Sequence, residues 1–185
     1  MNSRWELPTS LDVGGVGFPI RTDYRAILDI LSYYNSPDYD DDEKHLICLK
    51  ILYVDDIPAE LQQEALQKAF NFIDGATEKD IKIKPRLMDW EQDAPLIAPA
   101  VNKVLGVEIR SIPYLHWWTF LGAYMSIGES LFSEVLSIRQ KKAKGKKLEK
   151  NEQEFYRDNK SLVNMKKRYS EEEQAEIDRL NEMLK

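Results

Sequence analysis

The sequence has few of the residues that most often form covalent cross-links and metal sites. One cysteine, Cys48, and two histidines, His45 and His116, occur among 185 residues. A single cysteine excludes an internal disulfide and a cysteine-rich zinc site. Because neither histidine belongs to a ligand-spaced pair, we expect no metal and no cofactor, and we interpret His116 as a hydrogen-bonded structural residue. Cys48 lies in the apolar segment 46–54, which predicts a small buried side chain.

Long apolar runs are also missing. No stretch approaches the ~20 apolar residues that cross a bilayer, and residues 1–6 lack a signal-peptide pattern. We therefore expect no membrane segment and an intracellular protein. Apolar residues make up 43% of the chain, which is enough for a core, and charged residues make up 31%, which indicates a largely solvated surface.

The motifs of common catalytic sites are absent as well. A phosphate-binding loop needs GxxxxGK[ST] or GxGxxG, and the glycines at 14, 15 and 17 have neither spacing. Asp89, Glu91 and Asp93 are close enough for an acid/base pair, but acids in such a position more often stabilise a helix start. Since no catalytic constellation is found, we expect no enzymatic activity.

Apolar periodicity and capping residues predict a mainly α-helical fold with a small N-terminal β-hairpin. The hairpin covers 11–20, where Gly14 and Gly15 supply the positive φ of a tight turn. Ile81 and Ile83 alternate with lysines, which predicts a short edge strand. The predicted helices cover 22–35, 58–73, 94–105, 113–127 and 129–140. A further helix starts at the acidic run 38–43 and continues to 54. A last helix begins at 170, where Ser170 and Glu173 form a capping box.

Two of these segments allow an alternative. The fourth helix contains Pro95 and Pro99, so it either starts close to Pro95 or is kinked there, and we favour a start at Ala94. The acidic run resembles a calcium loop in composition. Counted from Asp38, however, its sixth and twelfth positions are Glu43 and Leu49 instead of the glycine and glutamate of an EF-hand. We interpret these acids as helix-start residues.

Charge divides the chain unevenly. Residues 1–138 contain 12 Lys/Arg and 22 Asp/Glu, whereas residues 139–185 contain 14 and 10. We expect a compact helical core domain with the hairpin over 1–138, and a basic linker with a C-terminal helical extension over 139–185. A basic patch is formed by Lys141, Lys142, Lys144, Lys146 and Lys147. It would suit an acidic protein partner, while the acidic pI of about 5.1 argues against nucleic acid.

Two groups of apolar residues are candidates for partner binding. Ile177, Leu180 and Leu184 form a narrow seam on the last helix, which either docks on a partner or packs on the body. Trp117 and Trp118 lie on the predicted fifth helix, which is apolar nearly all round, so core packing is an alternative for both. On the sixth helix we expect Leu131, Val135 and Ile138 to be buried.

Several segments resemble a known phage family. They are WEQDAPLI from Trp90, GVEI from Gly106 and LHWWTF from Leu115, followed by the basic stretch IRQKKAKGKKLEKNEQEFYR. The family is named after the fifteenth gene product of a phage, occurs in tailed phages of Gram-positive bacteria, and is encoded among tail genes near the tape-measure gene. The resemblance covers residues 20–170, and LHWW after DWEQD is its most specific part.

The resemblance implies a non-enzymatic tail assembly protein, a chaperone that binds the tape-measure protein in the bacterial host cytoplasm. A tape-measure chain exposes long apolar helical seams before the tube encloses it, and such seams aggregate unless covered. The tail-tube protein and a second copy of the chain are further expected partners. A structural tail component that stays in the virion, or a nucleic-acid-binding accessory protein, remains an alternative.

Overall fold

The computed structural model describes residues 5–76 and 85–183. The predicted edge strand at Ile81 and Ile83, and the seam residue Leu184, lie outside these ranges. Within them the chain forms one two-stranded antiparallel hairpin followed by nine α-helices, so the predicted fold class is confirmed. The strands are β1 (Ser10–Val13) and β2 (Val16–Pro19); the helices are α1 (Tyr24–Asn35), α2 (Asp41–Leu52), α3 (Gln62–Ile73), α4 (Ala94–Leu105), α5 (Trp117–Met125), α6 (Leu131–Ala143), α7 (Lys150–Asp158), α8 (Lys160–Val163) and α9 (Glu171–Met183).

The hairpin turns at Gly14 and Gly15, whose φ angles are 59° and 79°. Both lie in the left-handed region that favours glycine. The hairpin packs on α3, since the Gly14 backbone N–H donates to Glu64 Oε2 at 3.2 Å and Val13 is fully buried. A two-stranded sheet needs this support, because an isolated hairpin is marginally stable.

The helices pack as a series of neighbours around one core. α2 contacts both α1 and α3, α1 contacts α5, α5 contacts α4, and α4 contacts α6. Trp117 lies at the centre, where its ring is stacked on Phe120 at 5.6 Å between centroids. Among the described helices, none combines the length and apolar character needed to cross a bilayer.

Several helix ends follow the sequence signals. Asp40 and Glu43 form a capping box at the start of α2, so the acidic run serves a helix start as interpreted. α4 begins at Ala94, with Pro95 in its first turn, and Gly106, with φ 69°, caps its C-terminal end. Ser170 accepts from the Glu173 N–H at the start of α9.

α5 is shorter than predicted, because it begins at Trp117 and not at Pro113. The residues before it are extended and pair with the start of α1. Tyr24 N–H donates to Leu115 O at 2.9 Å, and Trp117 N–H donates to Thr22 O at 2.7 Å. These bonds use backbone groups that a longer helix would need. His116 caps α5 instead, since its Nδ1 accepts the Trp118 N–H at 3.0 Å.

The region after α5 differs from prediction in two further ways. α6 is capped by Ser130 and buries Phe132, while Leu131, which we expected to be buried, is 47% exposed. The burial predicted for Val135 and Ile138 is confirmed. The polar stretch 147–169 contains the two unpredicted helices α7 and α8; α7 has a capping box between Glu149 and Glu152.

Replacement of Gly14 by alanine should destabilise the fold. The new Cβ would lie 2.9 Å from Leu61 Cδ2 at a positive φ, and an L-residue there costs about 1–2 kcal/mol. Gly17→Ala is the matched control, because Gly17 has no atom closer than 4.0 Å to a built Cβ. Urea unfolding followed by circular dichroism gives the free energy of unfolding of both variants. An equal loss in the two would contradict the steric role assigned to Gly14.

Candidate functional site

An open, mostly apolar groove lies between α1, the start of α4 and the loop after α4. Its volume is about 710 Å³. The floor is built around Tyr24 and Phe120, whose rings stack at 4.8 Å between centroids. Trp90 forms one wall, and its ring centroid lies 6.2 Å from that of Phe120 and 4.8 Å from that of Tyr124. Apolar residues in a concave surface of this size suit a protein segment or a small molecule.

The opposite wall is held in place by Arg25. Its guanidinium pairs with Asp23 and also donates to the carbonyls of Ile109 and Ile112 at 3.2 and 2.8 Å. These bonds fix the loop after α4 against α1 without using a side chain of the loop. The wall is therefore determined by backbone carbonyls, while Ile109 contributes its apolar side chain to the groove.

Behind the Trp90 wall lies a buried ion pair between Asp93 and Arg139. The two guanidinium nitrogens Nη1 and Nη2 of Arg139 donate to the Asp93 carboxylate at 2.7 and 2.9 Å. The other donors reach the carbonyls of Leu87, Leu162 and Val163 at 3.0, 2.9 and 2.7 Å. All five N–H groups of the guanidinium are thus used, which is the condition under which a buried charge is tolerated.

A second carboxylate, Asp89, continues this network. Arg168 donates to it through Nε and Nη2 at 3.1 and 2.8 Å, and Arg86 contacts it as well. The Asp89 backbone N–H donates to Asp93 Oδ2 at 2.9 Å, so the two acidic residues are linked through the main chain of Asp89. We call Asp89, Asp93, Arg139 and Arg168 the clamp. It ties the Trp90 segment to α6, α8 and the chain that follows α8.

The clamp changes the acidity of the carboxylates beside the groove. Burial alone raises the pKa of Asp89, but hydrogen bonds from Arg168 and from the backbone N–H groups of Gln92 and Glu91 outweigh it, so its pKa lies below the ordinary value. Hydrogen bonds from Ser32 and then Arg168 lower the pKa of Glu91. In the described ranges no three His, Cys, Asp or Glu side chains are grouped to hold a metal ion.

The predicted contact residues Trp117 and Trp118 lie in or against the core. Trp117 is 1% exposed, and its indole N–H donates to Ile73 O at 2.8 Å. It offers no surface to a partner in this structure, which fits the core packing that the sequence also allowed. Trp118 is partly buried and donates to Phe72 O at 2.9 Å; its contact with a partner stays a prediction.

The predicted seam residues lie on α9, which buries none of its residues in the described structure. Leu180 is 50% exposed, and Ile177 is partly exposed. The start of α9 is tied to the body by the Glu171 backbone N–H, which donates to Asp38 Oδ1 at 2.7 Å. Neither seam residue lines the groove. The structure therefore separates two surfaces that could bind partners.

The basic patch is only partly free. Lys141 pairs with Glu152 at 2.6 Å, and Lys142 lies 3.6 Å from the Tyr156 ring centroid. Lys144, Lys146 and Lys147 are exposed and form no ion pair with any described residue. Arg139 differs from the solvated block to which we assigned it, since it is 7% exposed. The boundary predicted between 138 and 139 falls inside α6.

Sequence reasoning missed the groove and the clamp. It interpreted Asp89 and Asp93 as helix-start acids. Asp89 does accept the N–H groups of Glu91 and Gln92, but Asp93 forms no side-chain cap on α4 and turns to Arg139 instead. One signal for the clamp was present in the sequence: Asp89 and Asp93 lie on either side of Trp90, and arginines that could pair with them occur far along the chain.

Comparison with protein families identifies the chain. A family model described as Bacteriophage Gp15 protein matches residues 4–170. The chain belongs to this family. It is therefore a phage structural or assembly protein of a tail-gene family, in agreement with the resemblance seen in the sequence. Comparisons with curated proteins and with solved structures gave no match. In this Gp15-family protein, α9 lies beyond the matched residues.

Removal of the clamp's central carboxylate should be costly. Asp93→Asn leaves the Arg139 charge buried without its counter-charge, which lowers the free energy of unfolding by about 3–5 kcal/mol. Glu154→Gln removes one member of an exposed pair, whose side chains are 66% and 67% exposed, and should change little. Urea unfolding tests both variants, and a small loss for Asp93→Asn would show that the pair is not structural.

The lowered pKa values predict a loss of stability in acid. A carboxylate with a depressed folded pKa stabilises the fold above its unfolded pKa of about 4, and this contribution disappears as pH falls through the folded value. Arg168→Gln removes the main stabiliser of ionised Asp89, so the drop in unfolding free energy below ~pH 4 should be smaller. The exposed Arg157→Gln should keep the wild-type drop. Identical pH profiles for all three proteins would rule out the clamp as the cause.

Proposed function

We propose that this protein is a non-enzymatic assembly factor for phage tails, and that its groove binds an apolar helical segment of the tape-measure protein. One observation carries the proposal: two segments of the resemblance meet in the groove, since Trp90 belongs to DWEQD and Phe120 to LHWWTF. The Gp15 family provides the phage context. The tape-measure partner is our inference from the resemblance, and the groove's shape and chemistry suit a helical segment.

The groove has the features of a helix acceptor. Its floor and walls are apolar, with Leu28, Pro95 and Ile109 beside the aromatic residues. The charged lining residues form its rim, since Asp29, Glu91 and Arg110 are exposed and Arg25 is partly exposed. An amphipathic helix inserts its apolar side chains into such a groove and leaves its polar face in water. The mixed rim imposes no strong charge requirement on the bound helix.

A site of this size also suits a transient role. An assembly factor must cover apolar seams on a long partner and leave as the tube subunits replace it. Each groove of about 710 Å³ accepts only a few side chains, so a single contact is weak. Several copies along one partner would still retain it through many such contacts. We place this activity in the host cytoplasm, before the tail is complete.

Co-expression with the tape-measure protein tests the proposal. Ala94 is exposed at the groove, and Ala94→Arg should fill it without disturbing the core. We expect wild-type protein to raise the recovery of soluble tape-measure protein, and Ala94→Arg to lose most of this effect, because a charge then occupies the apolar site. Ala59→Arg, at an exposed alanine away from the groove, is the matched control.

Two results would contradict the proposal. One is unchanged recovery of the tape-measure protein with wild-type chain, and the other is equal recovery with both arginine variants. Mass spectrometry of purified virions separates assembly from a structural role. An assembly factor should be scarce there, and a stoichiometric amount would favour the structural alternative.

A further inference from the structure

The helix α9 is strongly acidic and is not packed against its own chain. Residues 171–183 include six Asp/Glu and one Arg, and none of the described residues of this helix is buried. Its apolar seam, with Ile177 and Leu180, is left in water. Pairing of two α9 helices through their seams would bring two acidic helices together, which like-charge repulsion opposes. An acceptor that covers this helix should therefore be basic.

A concave surface lined by basic residues lies beside the start of α9. We call it the basic depression; it has a volume of about 550 Å³. Its lining residues are Tyr34, Asn35, Ser36, Pro37, Lys44, Arg86, Met165, Lys166, Lys167 and Arg168. Arg86 and Arg168 are engaged by Asp89, whereas Lys44, Lys166 and Lys167 form no ion pair within the described chain. Tyr34, Pro37 and Met165 give it apolar surface.

None of the residues that line the basic depression belongs to the chain's own α9, and no described residue of α9 is buried. The helix starts at Glu171, directly after Arg168, Tyr169 and Ser170, and the Ser170/Glu173 capping box fixes its first turn. The bond from the Glu171 N–H to Asp38 anchors the same turn. The start of the helix is therefore held at two points.

The groove is a poorer acceptor for this helix. Its rim carries the acids Asp29 and Glu91, and its arginines are already paired, Arg25 with Asp23 and Arg110 with Glu108. The rim therefore offers an acidic helix no free cation. The groove and the basic depression share no lining residue, so they can be occupied independently.

We propose that α9 of one copy docks in the basic depression of a second copy, and that the exchange is reciprocal. Because the donor helix and the acceptor lie side by side, a two-fold arrangement satisfies both copies with one repeated contact. Acidic residues of α9 then face Lys166 and Lys167, and the seam covers Met165 and its apolar neighbours. This inference is independent of tape-measure binding.

Sedimentation of the full chain at ~100 μM tests the dimer. Lys166→Glu/Lys167→Glu changes the acceptor, and Glu172→Lys/Glu176→Lys changes the donor at exposed positions outside the capping box. Each should weaken dimerisation at least ~10-fold, as should ~500 mM salt. An equimolar mixture of the two variants should form the mixed dimer again. Lys146→Glu/Lys147→Glu, an equal charge change elsewhere, should dimerise like wild type.

Other outcomes overturn the proposal. A wild-type chain that stays monomeric, variants that dimerise as tightly as wild type, or a mixture of folded variants that does not pair would each exclude reciprocal docking. Circular dichroism confirms that the variants are folded. A monomeric wild type whose donor variant binds less tape-measure protein would assign α9 to that partner instead. The substitution Ile177→Ser/Leu180→Ser checks the seam, and undiminished dimerisation would exclude it from the contact.

Discussion

The buried pair between Asp93 and Arg139 is the interaction on which the rest of the molecule depends. It joins the start of α4 to α6, and the remaining guanidinium donors hold the segment before α4 and the end of α8. Isolated, either charge would be expensive to bury, so the two must be buried together with every donor satisfied. The pair thus fixes the relative positions of elements that apolar packing alone would leave less specific. Asp89 extends this control to Arg168 and so to the chain leading into α9.

The groove follows from that constraint. Asp89 and Asp93 flank Trp90, and their bonds to arginines hold its indole against Phe120 and Tyr124. A charged cluster on one side of a short segment therefore positions an apolar wall on the other. The groove stays open because each of its walls is held by polar contacts. Ionic bonds hold the Trp90 wall from behind, and Arg25 holds the opposite wall through backbone carbonyls.

Local signals were sufficient for much of the fold. The glycine turn of the hairpin, the Asp40/Glu43 box and the Ser170/Glu173 box each act over a few residues, and the sequence shows them directly. The contacts that sequence reasoning missed are distant ones. Arg139 and Asp93 are 46 positions apart, and the bond from Leu115 to Asp23, which helps to shorten α5, spans 92. A basic residue in a lysine-rich stretch looks solvated until its distant carboxylate is known. The groove depends on distant contacts in the same way, although Trp90 and Phe120 both belong to motifs that the sequence shows.

The central claim is that the groove, and no other apolar surface, receives the tape-measure segment. Hydrogen exchange of the wild-type chain, alone and in complex with the tape-measure protein, measures this most directly. The account predicts slower exchange, by ~10-fold or more, at backbone amides of the first turn of α4 and of the loop at 106–112, with α3 unchanged. Protection confined to other surfaces, with the groove amides exchanging as in the free protein, would contradict it.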